Sequence, residues 1–266
     1  MVQPSIELTD EQIAHFRAQG YVALDAITTA EEVAALRTIY DRLFNERAGR
    51  DEGNQFDLAG TDEDPDAATL PQILNPAKYA PELNGTFLLA SAQAIARQIF
   101  GDEAQAHFAH AIFKPARHGA ATPWHQDAAY WMPDMYYDKL SIWVPLQEAT
   151  PENGCMHFTP ESNSFDVLPH RSIGDDPRVH GLELHADYMR YTEPIVACPL
   201  PAGGATMHDA YTLHYTPPNR SSIPRRALIL DAGIAPTPRQ RKVRFPWREE
   251  KRTARAERAA QAAKAG

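Results

Sequence analysis

From about residue 104 onward the apolar residues come in short runs, each closed by a turn signal: HFAHAIFK, LSIWVPLQ, CMHFTP, EPIVACPL, GATMHD and RALILDAG. Such a succession predicts an all-β sandwich or barrel. The 22 prolines and 14 glycines fit many turns and short strands rather than long helices.

The first hundred residues read differently. Residues 9–19, TDEQIAHFRAQ, begin with a capping Thr9, carry acidic residues in the first turn and space Ile13 and Phe16 three apart, so they predict an amphipathic helix. Gly20 ends it and YVAL begins an extended run. A second helix is predicted over 29–47, with Thr29 as cap, Glu32 completing a capping box, and Val33, Leu36, Ile39, Tyr40 and Leu43 as its stripe. A third spans 82–100, with Leu88, Ala92, Ile95 and Ile99 on its inner face. Between them, residues 48–66 are acidic and rich in Gly and Asn, which predicts a loop and a candidate lid. No internal repeat or composition break divides the chain. It reads as one domain over 1–266, mainly β with flanking helices: a mainly helical part (1–103), a β core (104–238) and a basic tail (239–266).

Charge and hydropathy exclude some functions. The formal net charge of −9 argues against nucleic-acid binding. There is no run of eighteen apolar residues, so no membrane span is expected, and MVQPSIELTDEQ lacks the basic and apolar regions of a signal peptide. Two distant cysteines, Cys155 and Cys198, form no disulfide framework and fit a reducing cytoplasm. Residues 239–266 hold ten of the 26 basic residues and three of the 35 acidic ones, leaving 16 and 32 for the rest. This tail predicts a solvated helix over 249–264, with binding to an acidic partner as the alternative.

The segment PWHQDAAYW, residues 123–131, places His125 and Asp127 two apart. On an extended segment both would face one side, roughly 6–7 Å apart, and could share a cation. A third ligand must come from a later strand; His157, His170, His180, His185, His208 and His214 are available. His214 stands out by position, since an apolar alternating segment precedes it and Arg225 follows eleven residues later at the head of the last apolar strand. Two histidines and a carboxylate are the ligand set of non-haem Fe(II) oxygenases, which leaves coordination positions open. A nearby arginine provides a charged fork for a carboxylate. Arg225 and Arg226 are adjacent, so strand alternation sends them to opposite faces, and spacing alone does not say which faces the site.

Read together, FRAQGYVALDAITTAEEVAALRTIYDRLF, HQDAAYW, SIWVPLQEATPENGCMHFTPESN and HYTPPNRSSIPRRAL resemble, in order, segments of the phytanoyl-CoA dioxygenase (PhyH) family of Fe(II)/2-oxoglutarate oxygenases. The resemblance covers most of the chain. It implies a double-stranded β-helix, or cupin-like jelly roll, with the N-terminal helices packed outside. It implies His125, Asp127 and His214 as the iron ligands, Arg225 as the anchor of the distal carboxylate of 2-oxoglutarate, and Thr216 and Trp143 beside that co-substrate. It further implies O2 as oxidant and hydroxylation of an unactivated C–H bond of a small metabolite or natural product, with release of succinate and CO2. Related halogenases carry a small residue where Asp127 stands, so hydroxylation is favoured, with desaturation, epoxidation and ring formation as alternatives open to the same triad. Within the SIWVPLQ…CMHF segment an Asn-Gly turn is expected to join a strand pair. PESN at 160–163 departs from the family's more frequent Gly-Ser-His.

Tyr130 and Trp131 are expected as an active-site wall, and Lys114 as a further candidate for an anionic group of substrate or co-substrate. His208 and His157 are expected to pack behind the ligands. Two other classes remain open: a metal-binding jelly roll without 2-oxoglutarate activity (a cupin-like sensor, hydrolase or isomerase), for which Arg225 would be dispensable, and an interaction protein acting through the basic tail. The residues do not indicate an oligomeric state.

Overall fold

The computed structural model describes residues 6–265. Residues 1–5, on which the expectation of no leader partly rests, and residue 266 lie outside the described residues. The chain opens with α1 (Asp10–Gln19), β1 (Tyr21–Leu24) and α2 (Ala30–Asn45), followed by β2 (Gln55–Asp57), β3 (Pro71–Leu74) and α3 (Phe87–Phe100). Then come β4 (Gln105–Lys114), β5 (Thr122–His125), β6 (Met135–Tyr136), β7 (Lys139–Pro145), β8 (Met156–Phe158), β9 (His170–Ser172) and β10 (Leu182–Leu184). They are followed by β11 (Val196–Cys198), β12 (Ala205–Asp209), β13 (His214–Thr216), β14 (Arg225–Gly233), β15 (Thr237–Pro238), α4 (Pro246–Glu249) and α5 (Ala254–Ala265).

Seven strands form one antiparallel sheet in the order β1-β12-β7-β14-β4-β3-β2, and four form a second in the order β11-β8-β13-β5. This is the jelly-roll layout expected. The long strands of the large sheet are buried on both faces, and their sequence alternates accordingly. Leu140, Ile142 and Val144 of β7 and Leu228 and Leu230 of β14 join Leu36, Leu88 and Ile95 in one apolar cluster under the helices. Trp143 and Ile229, of opposite parity, pack instead with Met156 and Phe158 of the small sheet. Period-2 alternation thus gives each strand one face for the helices and one for the space between the sheets.

The first two helices begin where expected; the third begins only at Phe87, capped by Thr86, because Pro81–Gly85 form a separate 3-10 turn ahead of it. Thr9 makes a reciprocal capping box with Gln12. Thr29 caps α2, but Glu32 does not complete a box there. Its carboxylate instead accepts from the backbone N–H groups of Phe87 and Leu88 at 2.6 and 2.8 Å, so it sits on the start of α3, where two orphan donors and the helix dipole favour an anion.

Three expectations are corrected. The acidic segment 48–66 is no lid: β2 lies inside it as an edge strand of the large sheet, and its acids are internal ties. Buried Asp57 accepts from the N–H groups of Ala59, Thr69 and Leu70, and buried Asp62 pairs with Arg50 and Arg258. The Asn153-Gly154 turn does not join a paired hairpin; β7 and β8 belong to opposite sheets, so the turn carries the chain across the sandwich. The tail is not a solvated helix: α4 and α5 are separated by residues 250–253, and the segment is docked through Trp247, Lys251, Arg255 and Arg258. Long basic side chains bury their stems while their heads donate to main-chain carbonyls, which composition does not reveal. Among the described residues, no helix is long and apolar enough to cross a membrane.

Candidate active site and metal centre

A cavity of about 280 Å³ lies between the two sheets, and His125, Asp127 and His214 line it together. One ligand-type atom from each lies within 4.8 Å of the others. The Asp127 Oδ1 is 3.7 Å from His125 Nε2 and 3.6 Å from His214 Nε2. One ion bonded at roughly 2.1 Å to each atom fits between atoms about 3 to 4 Å apart.

The strands bring this about. β13 pairs antiparallel with β5 so that His214 lies directly opposite His125, ring centroids 4.1 Å apart. β5 ends at His125, and Asp127 opens a short 3-10 turn (Asp127–Tyr130) rather than continuing an extended strand. The peg is Gln126, fully buried between the two ligands. Its amide donates to Tyr211 O at 2.8 Å and accepts from Leu168 N–H at 2.8 Å, while its own N–H donates to His170 Nε2 at 3.1 Å. The loop before His214 is fixed too: Leu213 N–H donates to Ser162 Oγ (2.9 Å) and the Thr212 hydroxyl to Gly20 O (2.7 Å). Ser162 belongs to PESN, so that departure from the family pattern still supplies a loop-holding hydroxyl. Gly20, at φ +81°, must be glycine here, because a Cβ would meet Thr212 Oγ at 2.5 Å.

Electrostatics prepare the three groups for a cation. His125 Nδ1 lies 2.8 Å from Pro123 O and His214 Nδ1 lies 2.9 Å from Thr212 O, which puts the proton on Nδ1 and turns the Nε2 lone pair toward the partner ligands. Burial pushes both ring pKa values down, so the rings are neutral. Burial alone would raise the Asp127 carboxyl, but the polar His214 ring beside it and the hydrogen bond from His208 hold it well below the usual carboxylate range. Its second oxygen, Oδ2, accepts from the Ser141 hydroxyl at 2.6 Å and lies 3.2 Å from His208 Nε2, leaving Oδ1 for a metal. His208 and Ser141 are cross-strand neighbours in the large sheet, so their placement follows from register. His208 therefore supports the carboxylate, as expected.

Deeper in the cavity is Arg225, only 1% exposed. Its Nη1 donates to Ile112 O at 3.3 Å and its guanidinium carbon lies 5.4 Å from the Trp143 ring centroid. Its Nε has no partner, and it forms no ion pair among the described residues. Burial lowers its pKa to about 10, leaving a cation at neutral pH. Arg226 points the other way, to Asp41 at 2.6 Å, which answers the question parity left open. Thr216 lines the cavity and its hydroxyl meets that of Thr122 at 3.0 Å. Tyr130 and Trp131 line it as expected.

Other candidates fall elsewhere. Lys114 is fully buried but does not line the cavity; its ammonium donates to the carbonyls of Ala120, Thr216 and Pro217 at 2.7, 3.2 and 2.8 Å. It is a structural clamp, with its donors already used. His157 faces outward against Tyr215, 5.7 Å between ring centroids, and does not back the ligands, because its strand position has the wrong parity. His185 caps the turn at Ala186, away from the cavity. Residues that spacing did not reveal include Thr122, Ser141, Gln126, His110, Asp231 and Arg255. Each reaches the site through register or docking, and only the residue between His125 and Asp127 had a local signal.

Comparisons with known proteins give the chain's relatives. The family model described as phytanoyl-CoA dioxygenase (PhyH) matches residues 16–227. The chain is 26% identical over 227 residues to a probable alpha-ketoglutarate-dependent hypophosphite dioxygenase of Stutzerimonas stutzeri, covering 85% of this chain and 78% of that protein. It is 29% identical over 180 residues to the ectoine dioxygenase of Sphingopyxis alaskensis, covering 66% and 55%. Among solved structures, EvdO2 from Micromonospora carbonacea var. aurantiaca complexed with 2-oxoglutarate superposes with a TM-score of 0.77 at 36% identity, over 92% of this chain and 99% of that one. A match spanning both histidine-bearing sheet strands, the carboxylate turn and the buried arginine's neighbourhood leaves one placement: the chain belongs to the phytanoyl-CoA dioxygenase (PhyH) family.

Proposed function

We propose that the protein is an Fe(II)/2-oxoglutarate-dependent dioxygenase acting on a small molecule, with His125, Asp127 and His214 as iron ligands and Arg225 as the anchor of the co-substrate. The observation that carries this reading is Arg225 itself. A guanidinium this buried, with an unpartnered Nε and no carboxylate in contact, costs several kcal/mol in desolvation. An anion supplied from outside the chain offsets that cost, and a dicarboxylate with one end at the metal is of the right kind. The neutral Nε2 donors and the ionised Asp127 Oδ1 fit a divalent cation of intermediate softness.

Iron at the triad, with 2-oxoglutarate and O2, would supply the oxidation that puts a hydroxyl in place of a C–H hydrogen, with succinate and CO2 released. The chain's own contribution is positional. Ser141 and His208 fix Asp127 so that one oxygen alone faces the ion. The Trp143 ring lies 5.4 Å from the Arg225 guanidinium carbon, and in the Thr122–Thr216 hydroxyl pair Thr216 donates to Thr122, which leaves the Thr122 hydroxyl as a donor in the same cavity. Tyr130 is held by Leu182 N–H at 2.7 Å and forms a rigid wall. Cys155 and Cys198 are buried free thiols whose pKa values burial pushes up to about 11 and about 12, so they stay protonated and unreactive beside the oxidising chemistry.

An anaerobic titration tests the assignment. Fe(II) and 2-oxoglutarate together should give a weak visible charge-transfer band in the wild-type protein. His125→Ala and Arg225→Ala should each lose it, the first with loss of metal and the second with metal retained. Normal metal binding without a band in the wild type would refute the oxygenase reading.

A further inference from the structure

The family match ends at residue 227, yet a residue well beyond it lines the cavity: Arg255, in the first turn of α5. Two contacts fix its side chain. Its Nε donates to Gly53 O at 2.8 Å, and its guanidinium carbon lies 4.7 Å from the Phe56 ring centroid. Among the described residues, neither terminal nitrogen has a hydrogen-bond partner and no carboxylate pairs with the guanidinium. Neighbouring cations are matched: Arg50 and Arg258 share Asp62. Lys251 donates to Val179 O at 3.1 Å and to His180 O, fixing the segment that places the His180 ring in the cavity.

A charge inventory of the lining isolates Arg255. Asp231 is paired with Lys139 at 2.5 Å. Asp127 belongs to the metal site and Arg225 to the co-substrate. His110 and His180 are held neutral, both by burial and His180 also by Lys251 and Arg255. One fixed cation therefore remains unmatched on the side of the cavity formed by Leu58, His180 and the tail.

We propose that Arg255 is a substrate-binding residue that receives an oxyanion, carboxylate or phosphate-like, on the substrate, so that the docked tail selects small anionic substrates. The substrate assignment rests on the oxygenase reading above; anion binding at Arg255 does not.

The test uses full-length protein loaded with Mn(II) and saturating 2-oxoglutarate, so that Arg225 is occupied. Sulfate and, separately, acetate are titrated in by calorimetry. Saturable binding of at least one is expected, weakened about 10- to 100-fold in Arg255→Gln, as for loss of a charge-assisted bidentate contact, and less so in Arg255→Lys. Unchanged 2-oxoglutarate affinity in both variants shows that fold and co-substrate end are intact. Absence of saturable binding of either anion to the wild type, or equal affinity in Arg255→Gln, overturns the proposal. Failure of the wild type to bind 2-oxoglutarate would instead strike the role given to Arg225, and the anion titration would still report on Arg255.

Discussion

His125 and Asp127 were legible in the sequence because two residues of chain cannot separate them far, whatever the backbone does between them. The expected extended geometry was not needed: Gln126 is buried as a peg and the turn returns the carboxylate to the same place. Parity left Arg225 and Arg226 as equals, and only the family resemblance favoured Arg225; the structure separates them by sending Arg226 to Asp41 on the other face. Ser141 was not legible, because it touches Asp127 only through the register of β7, fourteen residues on. Its role has a direct test. Ser141→Ala removes one of the two contacts on Oδ2, and metal affinity should fall about 10-fold or more with the fold retained, measured by competition with a chelating dye. Lys114 shows the opposite limit: a lysine at a strand end reads as available charge, whereas three carbonyls already claim it. Lys114→Met should therefore destabilise the protein by leaving those carbonyls unpaired, while 2-oxoglutarate affinity changes little, as thermal unfolding and calorimetry would show.

At the scale of elements, the N-terminal helices and the short strands could be read because caps and periodicity are local. What could not be read is which elements meet. The Asn153-Gly154 turn has the composition of a hairpin, yet its flanking strands enter different sheets. Glu32 has the spacing of a capping box, yet it caps another helix. The tail looks solvated, yet Trp247 donates to Ala129 O at 3.0 Å and packs 5.6 Å from the His170 ring. That ring makes the site's backing pH-sensitive. Burial lowers the His170 pKa to about 3, and its unprotonated Nε2 accepts from Gln126 N–H. An unfolded histidine takes up its proton near pH 6.5. Unfolding therefore binds a proton throughout the window from about pH 6.5 down to 3, and stability falls as the pH is lowered across it, by at most about 1.4 kcal/mol per pH unit from this group. Denaturant unfolding at pH 6.5 and 5.5 should show a smaller difference in His170→Gln than in the wild type. An equal difference would place the acid sensitivity elsewhere.

For the whole molecule, the large sheet separates two environments: an apolar layer under α1–α3 that holds the fold, and a polar interior that holds the chemistry. The second is costly to leave unliganded, since Arg225 and the triad are buried polar groups awaiting partners. Metal with 2-oxoglutarate should stabilise the protein by about 2.7 kcal/mol at a hundredfold excess over Kd, and raise Tm by some 5 °C or more. Chelation should reverse it. The central claim is that Arg225 receives the far carboxylate of 2-oxoglutarate, and one comparison isolates it. The measurement is the affinity of Mn(II)-loaded wild type and Arg225→Gln for 2-oxoglutarate and for 2-oxobutyrate, which keeps the metal-binding end and lacks the distal carboxylate. The account predicts that the wild type prefers 2-oxoglutarate by about 100-fold or more and that the preference collapses in Arg225→Gln, with 2-oxobutyrate affinity nearly unchanged. A preference that survives in Arg225→Gln would contradict it.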